Sequence, residues 1–380
     1  MTTLLAPATS SFRLRLCATF AAGMLLSAPG FASDKTVVIA QSIDLSGPNG
    51  ALGRDYVAGI TSYFDSINST GGVAGRRIRF VVRDDKGEPQ LAAQMARELV
   101  EQEKPQYMLG GIGPDTTAAI LSNPAFNKSG LVLYAPLTDA TSSYQQRALV
   151  WRPNKEQEIQ YIFSYFEKLG IKNIGVAYTE SVINREAYAL VQKEIQRRGL
   201  TLSGSVILSS DTQATVQQIH KLGQTRPNIV ISLADTINTG LFLKSFRKAS
   251  PKTFVAGTSL INLATLTEIA GATAMEWTLF SQVVPNPNSP TTALQLEHLK
   301  SMKKFRDESV SAMSLEGFAV AKTLVRAIHL GAGNSFTAMQ GVARSNSDLG
   351  GLNLVRTEGS RNLSQFVDLA LFRRGGNLLY

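Results

Sequence analysis

"YMLGGIGPDTTAAI", residues 107–120, decides the reading of the fold. Its first three residues are an apolar run of strand character. Gly110, Gly111 and Gly113 then interrupt it, with Pro114 and Asp115 behind them, and from Thr116 the pattern restarts as a helix. A strand passing through a glycine-rich turn into a helix is half of a βαβ unit. Such a turn can serve as a phosphate cradle, as one wall of a small-molecule site at the mouth of an α/β sheet, or as a plain tight connection.

The flanking sequence repeats the pattern. Residues 36–43, "TVVIAQSI", read as a strand, and Leu52, Tyr56, Ile60, Tyr63 and Ile67 recur at helical spacing after it. Residues 77–85 are β-rich, residues 89–103 are helical, and a fourth strand is predicted over 131–136 after a helix over 116–126 that contains Pro124. A second series then begins. Helices are predicted near 156–169, 185–198, 212–222 and 239–248, separated by the strands "NIGVAYT", "LSGSVILS", "NIVISL" and "TFVAGT". Residues 276–290 read as a long β segment running into prolines. Helices near 292–308, 315–330 and 336–343 and a strand in "SQFVDLALFRRGG" complete the chain. Strands alternating with single helices build parallel sheets covered on both faces. The expected fold class is therefore α/β, with two doubly wound lobes, and ligands of such sheets bind beyond the carboxyl ends of the strands.

The bulk numbers agree. The chain has 380 residues, 44% hydrophobic and 18% charged, enough for two packed domains. Residues 1–32 carry Arg13 and Arg15, an uncharged apolar core and then small residues, which is the pattern of a secretory signal peptide cleaved after Ala32. The sole cysteine, Cys17, lies in this leader with Arg15 two residues before it, so a lipoprotein signal is not expected. Losing Arg13 and Arg15 lowers the formal charge from +9 to +7. The lysines and arginines are dispersed, so a solvated surface is expected and not a nucleic-acid face.

Catalytic motifs are not found. The glycines at 47, 50 and 53 and those at 110, 111 and 113 lack dinucleotide spacing, and there is no P-loop or nucleophile elbow. His220, His298 and His329 are far apart, which points to surface or boundary positions, not to a metal site. Asp84 and Asp85 fall on opposite faces of a strand end, where holding the following loop is the favoured role. Glu316 sits near the start of a helix with Ser314 as its expected N-cap, complementing the helix dipole. Asp115 or Thr116 can cap the helix after Gly113. A bland capping turn and a ligand contact both stand at this point. No enzyme activity, cofactor or metal is expected.

"GGVAGRRIRFVVRDDKGEPQLAAQMARELV", "YMLGGIGPDTT", "LVLYAPLTDAT", "FSQVVP" and "SLEGFAVAKTLV" together resemble the type I periplasmic binding proteins. The similarity is to the leucine/branched-chain amino-acid-binding-like group that serves ABC importers. That resemblance implies two lobes joined by a three-segment hinge, with crossings near 151–153, 282–285 and 352–356. Residues 34–150 with 284–354 would form one lobe, and residues 151–283 with 355–380 the other. It further implies a monomer in the periplasm, closing on a small polar solute such as an amino acid and docking on a membrane permease. The alternative is a periplasmic sensor reporting to a membrane receptor. Ligand-binding positions carried over are Leu52, Gly113, Pro114, Asp115, Thr116, Thr138 and Asp139 in the first lobe. Those in the second are Thr179, Ser181, Asp235 and Thr258, with Ile183 replacing an aromatic. Pro114 supplies no hydroxyl where amino-acid binders use one, and Asp139 would attract an amine or hydroxyl rather than a carboxylate.

Overall fold

The structure is a computed structural model. It describes residues 36–138, 147–209, 212–331, 338, 341, 347–354, 362–373 and 378–379. The expected leader with Cys17, Asp139 and most of the helix expected over 336–343 lie outside them.

The first sheet is made by β1 (Thr36–Ile43), β2 (Arg77–Asp84), β3 (Tyr107–Leu109), β4 (Leu133–Tyr134) and β5 (Ala148–Leu149), all parallel, in the order β2-β1-β3-β4-β5. Its connections are α1 (Gly50–Ser69), α2 (Pro89–Glu98), which runs into a π turn at Leu99–Glu103, α3 (Pro114–Leu121) and α4 (Pro124–Ser129). The single helix expected over 116–126 is thus two helices. Pro124 cannot continue α3, and Asn123 instead caps α4, its side-chain oxygen accepting from Ala125 N at 2.9 Å. The start also shifts. Gly113, at φ +99°, is the N-cap of α3 and no side chain caps it, so neither Asp115 nor Thr116 has the expected capping role.

The second sheet is built from β6 (Asn173–Tyr178), β7 (Thr201–Ile207), β8 (Ile229–Leu233), β9 (Phe254–Gly257) and β10 (Thr278–Gln282). β13 (Asp368–Phe372) and β14 (Leu378–Leu379) add antiparallel at one edge, giving the order β14-β13-β10-β9-β8-β6-β7. Its helices are α5 (Lys155–Lys168), α6 (Val182–Arg197), α7 (Thr212–Gln224), α8 (Thr236–Ala249), α9 (Leu263–Ala270) and α10 (Ala272–Met275). α9 and α10 were not legible in the sequence. The β segment expected over 276–290 is confined to β10.

From β10 the chain returns to the first sheet as α11 (Ala293–Phe305) and α12 (Ala312–Leu330), followed by a small hairpin of β11 (Ser347–Asp348) and β12 (Asn353–Leu354). α12 is buried almost all round, from Met313 through Val325 and again at Ala327 and Ile328, as befits a helix inside a core. It crosses α1 with the backbones nearly touching. A Cβ on Gly317 would lie 2.2 Å from the Tyr56 carbonyl oxygen, and one on Gly59 would lie 1.9 Å from that of Ser314. Only glycine fits both places. The N-cap of α12 is Ser311, not Ser314, in a capping box with Ser314.

His298 departs from the surface position expected of it. It is fully buried on α11, edge-on to Phe318, with Nε2 at 3.1 Å from Ser314 Oγ. His220 and His329 are exposed, as expected.

Candidate functional site

Both sheets share one winding order. In each, the strand order reverses between the first strand and the third, that is between β1 and β3 and between β6 and β8. A crevice opens outside the carboxyl ends of the strands at such a switch point. The residues after β1, β3, β6 and β8 are therefore the first places to look.

In the first sheet the β1–α1 loop is fixed by carboxylates. Asp44 accepts from Gly47 N at 2.6 Å and Asn49 N at 2.9 Å. Asp84 accepts from Leu45 N, Lys86 N and Ser46 Oγ; burial opposes its charge, but these donors hold its pKa below the usual carboxylate range. Asp85 is fully buried, accepting from Ser42 Oγ at 2.8 Å and Gly87 N at 3.0 Å, and burial pushes its pKa up. The aspartate pair organises loops, as the sequence indicated.

After β3, Gly110 and Gly111 lie against neighbouring backbone, and the chain turns at Gly113 into α3. The Thr116 hydroxyl donates to the Ile112 carbonyl at 2.6 Å and the Thr117 hydroxyl to that of Gly113 at 2.7 Å. The amide groups of Asp115 and Thr116, the second and third residues of α3, lack a carbonyl partner within the helix and have no side-chain cap. They lie at the positive end of the helix dipole. Asp115 is exposed, Pro114 and Gly113 are half-buried, and Thr116 and Thr138 are buried. Leu52, placed at the site by the sequence, is 3% exposed and belongs to the core with Tyr56 and Ile60; it backs α1 from inside.

In the second sheet, Ser181 follows β6 and caps α6 by accepting from Asn184 N at 3.2 Å, while Thr179 Oγ1 accepts from Asn184 Nδ2 at 2.7 Å. Asp235 follows β8 and caps α8, accepting from Asn238 N at 2.9 Å. These polar side chains are thus committed to starting helices, and what they bring near the switch point is two more helix N-termini. Thr258, after β9, is half-buried. The side chain of Ile183 lies outside the described residues.

One cluster was missed by the sequence. Arg152, just after β5, is 1% exposed and forms two parallel bonds with Glu316 of α12, Nε to Oε1 and Nη2 to Oε2, each 3.1 Å. Arg152 Nη2 also donates to Ser259 Oγ at 3.1 Å. Ser259 N donates to Glu158 Oε2 of α5 at 2.9 Å, and Ser281 Oγ of β10 donates to the same oxygen. Glu316 is therefore an ion-paired core residue and not a dipole-complementing acid at a helix start. Burial pushes its pKa up, while Arg152 opposes that shift. The carboxyl ends of β5 and β9 meet here. Leu260, next to Ser259, packs on the first sheet's core.

A family profile described as "Periplasmic binding protein" matches residues 36–359. The chain belongs to the periplasmic binding proteins. Among curated relatives, a Leu/Ile/Val-binding protein homolog 1 from Brucella melitensis is 23% identical over 306 residues, 77% of each chain. An amino acid binding protein from Pseudomonas aeruginosa is 30% identical over 100 residues, and that match spans only 26% of its length and of this chain. The crystal structure of a substrate-binding periplasmic protein from Ralstonia solanacearum superposes with a TM-score of 0.81 at 23% identity, covering 90% of this chain and 99% of its own. The type I, leucine/isoleucine/valine-binding kind of periplasmic binding protein, with its two-lobe α/β fold, is the one the sequence resemblance named. Its members bind ligands and are not a class of enzymes. Among the described residues there is no group of three or more metal-ligating side chains, and no helix long and apolar enough to cross a membrane.

Proposed function

We propose that this periplasmic binding protein is the solute-receiving component of an ABC importer, exported to the periplasm and working as a monomer. It takes an amino acid or a related small polar solute between lobes divided at 150/151, 283/284 and 354/355. The observation that carries the reading is the start of α3. Two backbone amides, those of Asp115 and Thr116, which among the described residues have neither a carbonyl partner within the helix nor a side-chain cap, stand at the carboxyl end of β3 beside a switch point, behind a turn that Gly113 makes at φ +99°. Amides at a helix start receive a carboxylate without any side chain, which answers the lack of a hydroxyl at Pro114. Asp139 supplies the complementary charge for an amino group. The N-termini of α6 and α8 present the polar wall of the second lobe. The name of the Brucella relative, a Leu/Ile/Val-binding homolog, supports branched-chain amino acids as the first ligands to try.

Solute contacts made with both lobes stabilise the closed arrangement, a shift of a hinge population. Since a ligand bound only by the native state raises its melting point, the test is a thermal-shift series of the leaderless chain. L-leucine, L-isoleucine and L-valine, their keto acids and their amines are the probes. The amino acids are expected to raise the melting temperature and the amines, which lack a carboxylate, are not. A rise with the amines alone would overturn the carboxylate assignment.

A further inference from the structure

The Arg152 cluster joins parts of the chain that lie far apart. Glu316 belongs to α12, whose surroundings are α1 and the first sheet's core. Ser259, Glu158 and Ser281 belong to the turn after β9, to α5 and to β10, all of the second sheet. Arg152 itself lies where the chain first passes from one sheet to the other, and its carbonyl accepts from Asn362 Nδ2 at 2.7 Å, in the segment that makes the last passage. Beside it, Trp151 donates from Nε1 to Thr323 Oγ1 of α12 at 3.1 Å, and its carbonyl accepts from Ser364 N at 2.7 Å. One arginine thus joins a helix packed on the first sheet to a turn at the end of a second-sheet strand, and links two of the three passages.

Burying such a group is costly unless its partners are fixed around it, and removal of one partner leaves an uncompensated charge. Two parallel bonds between a guanidinium and a carboxylate also fix an angle, which a lysine cannot do. A third bond, from the same Nη2 that binds Glu316, reaches Ser259, the neighbour of the candidate ligand residue Thr258.

We infer that Arg152 is a positioning residue: clamped by Glu316 of the first lobe, it holds the Thr258–Ser259 turn of the second lobe and so sets the angle at which the two walls of the binding site meet. The inference rests on the proposed site only in assigning Thr258 to a ligand wall; the coupling of the lobes stands without it.

The test separates the two. Spin labels at Gln90→Cys on α2 and Glu186→Cys on α6, both exposed, are placed in full chain carrying Cys17→Ser, which has no other cysteine. The distance distribution between them is measured without ligand by pulsed electron resonance. Ser259→Ala removes the bond by which Arg152 holds the turn after β9 and leaves the Arg152–Glu316 pair in place. It is expected to fold as the parent does and to broaden the distribution. Arg152→Lys and Glu316→Gln are expected to broaden it further. With L-leucine as the probe, Ser259→Ala should weaken affinity about tenfold, the loss of one hydrogen bond to a charged donor. A folded Ser259→Ala variant with the parent's distance distribution would overturn the inference, whatever leucine does. A broadened distribution with no leucine binding by the parent would leave the lobe coupling supported and contradict only the choice of solute.

Discussion

His298 offers a quantitative check on how tightly α11 is packed against α12. Its Nε2 lies 3.1 Å from Ser314 Oγ, and that hydroxyl already donates to the Ser311 carbonyl at 3.0 Å. The ring must therefore carry its proton on Nε2 and donate it to Ser314. Nδ1 is left buried without a partner among the described residues. A second proton would place a charge among Phe318 and neighbouring core atoms, and burial depresses the pKa from 6.5 to about 4. The sign follows. Above pH 6.5 neither state is protonated at this group and it adds no pH dependence. Between 6.5 and 4 the unfolded chain takes up a proton that the folded chain refuses, so stability falls as pH falls. At about 1.4 kcal/mol per pH unit, the loss attributable to His298 is about 3 kcal/mol by pH 4. The perturbation is His298→Gln, which keeps a side-chain amide for Ser314 and does not titrate. Urea unfolding, followed by emission of the buried Trp151, is measured for both proteins from pH 7.5 to 4. At pH 7.5 the variant should be the less stable of the two, and by pH 4 the difference should have moved in its favour by about 3 kcal/mol. A difference between the two proteins that stays constant over this range would refute the assigned burial and tautomer.

Three other outcomes are expected. Gly317→Ala forces a methyl to 2.2 Å from the Tyr56 carbonyl oxygen; separating α1 from α12 should cost about 3 kcal/mol or more, seen as a large drop in the urea midpoint. Asn123→Ala removes the cap of α4 and a bond to the Ala93 carbonyl, and should cost about 1–2 kcal/mol in the same assay, with solute affinity unchanged. Asp139→Ala should weaken solute binding in calorimetry while the melting temperature of the free protein stays within a few degrees; unchanged affinity would remove this residue from the site.

Much of the fold was legible because it depends on local pattern. Leu52, Tyr56 and Ile60 recur at helical spacing because one side of α1 faces a sheet, and "TVVIAQSI" reads as a strand because it is a β-rich apolar run, buried from Val37 to Ile43. The misses were of another kind. The break at Asn123–Pro124 turned on a cap that competes with helix continuation. α9 and α10 are short, with Gly271 between them at φ +83°, and leave little periodicity to detect. Glu316 looked like a first-turn acid because its partner Arg152 is 164 residues away, a separation no periodicity reports. His298 is buried because α11 is covered by α1 as well as α12, and a single helix does not announce how many neighbours it has. At the site, the backbone turn at Gly113 was readable from composition. The commitment of Ser181 and Asp235 to capping was not, because the same residue types serve ligands and helix starts alike.

The central claim is that a solute draws two lobes together across the carboxyl ends of their strands. Small-angle scattering of the leaderless protein, with and without a saturating ligand identified by the thermal-shift series, tests it most directly. The account predicts a smaller radius of gyration and a narrower distance distribution when the ligand is bound. Identical scattering curves for the free and saturated protein would contradict it.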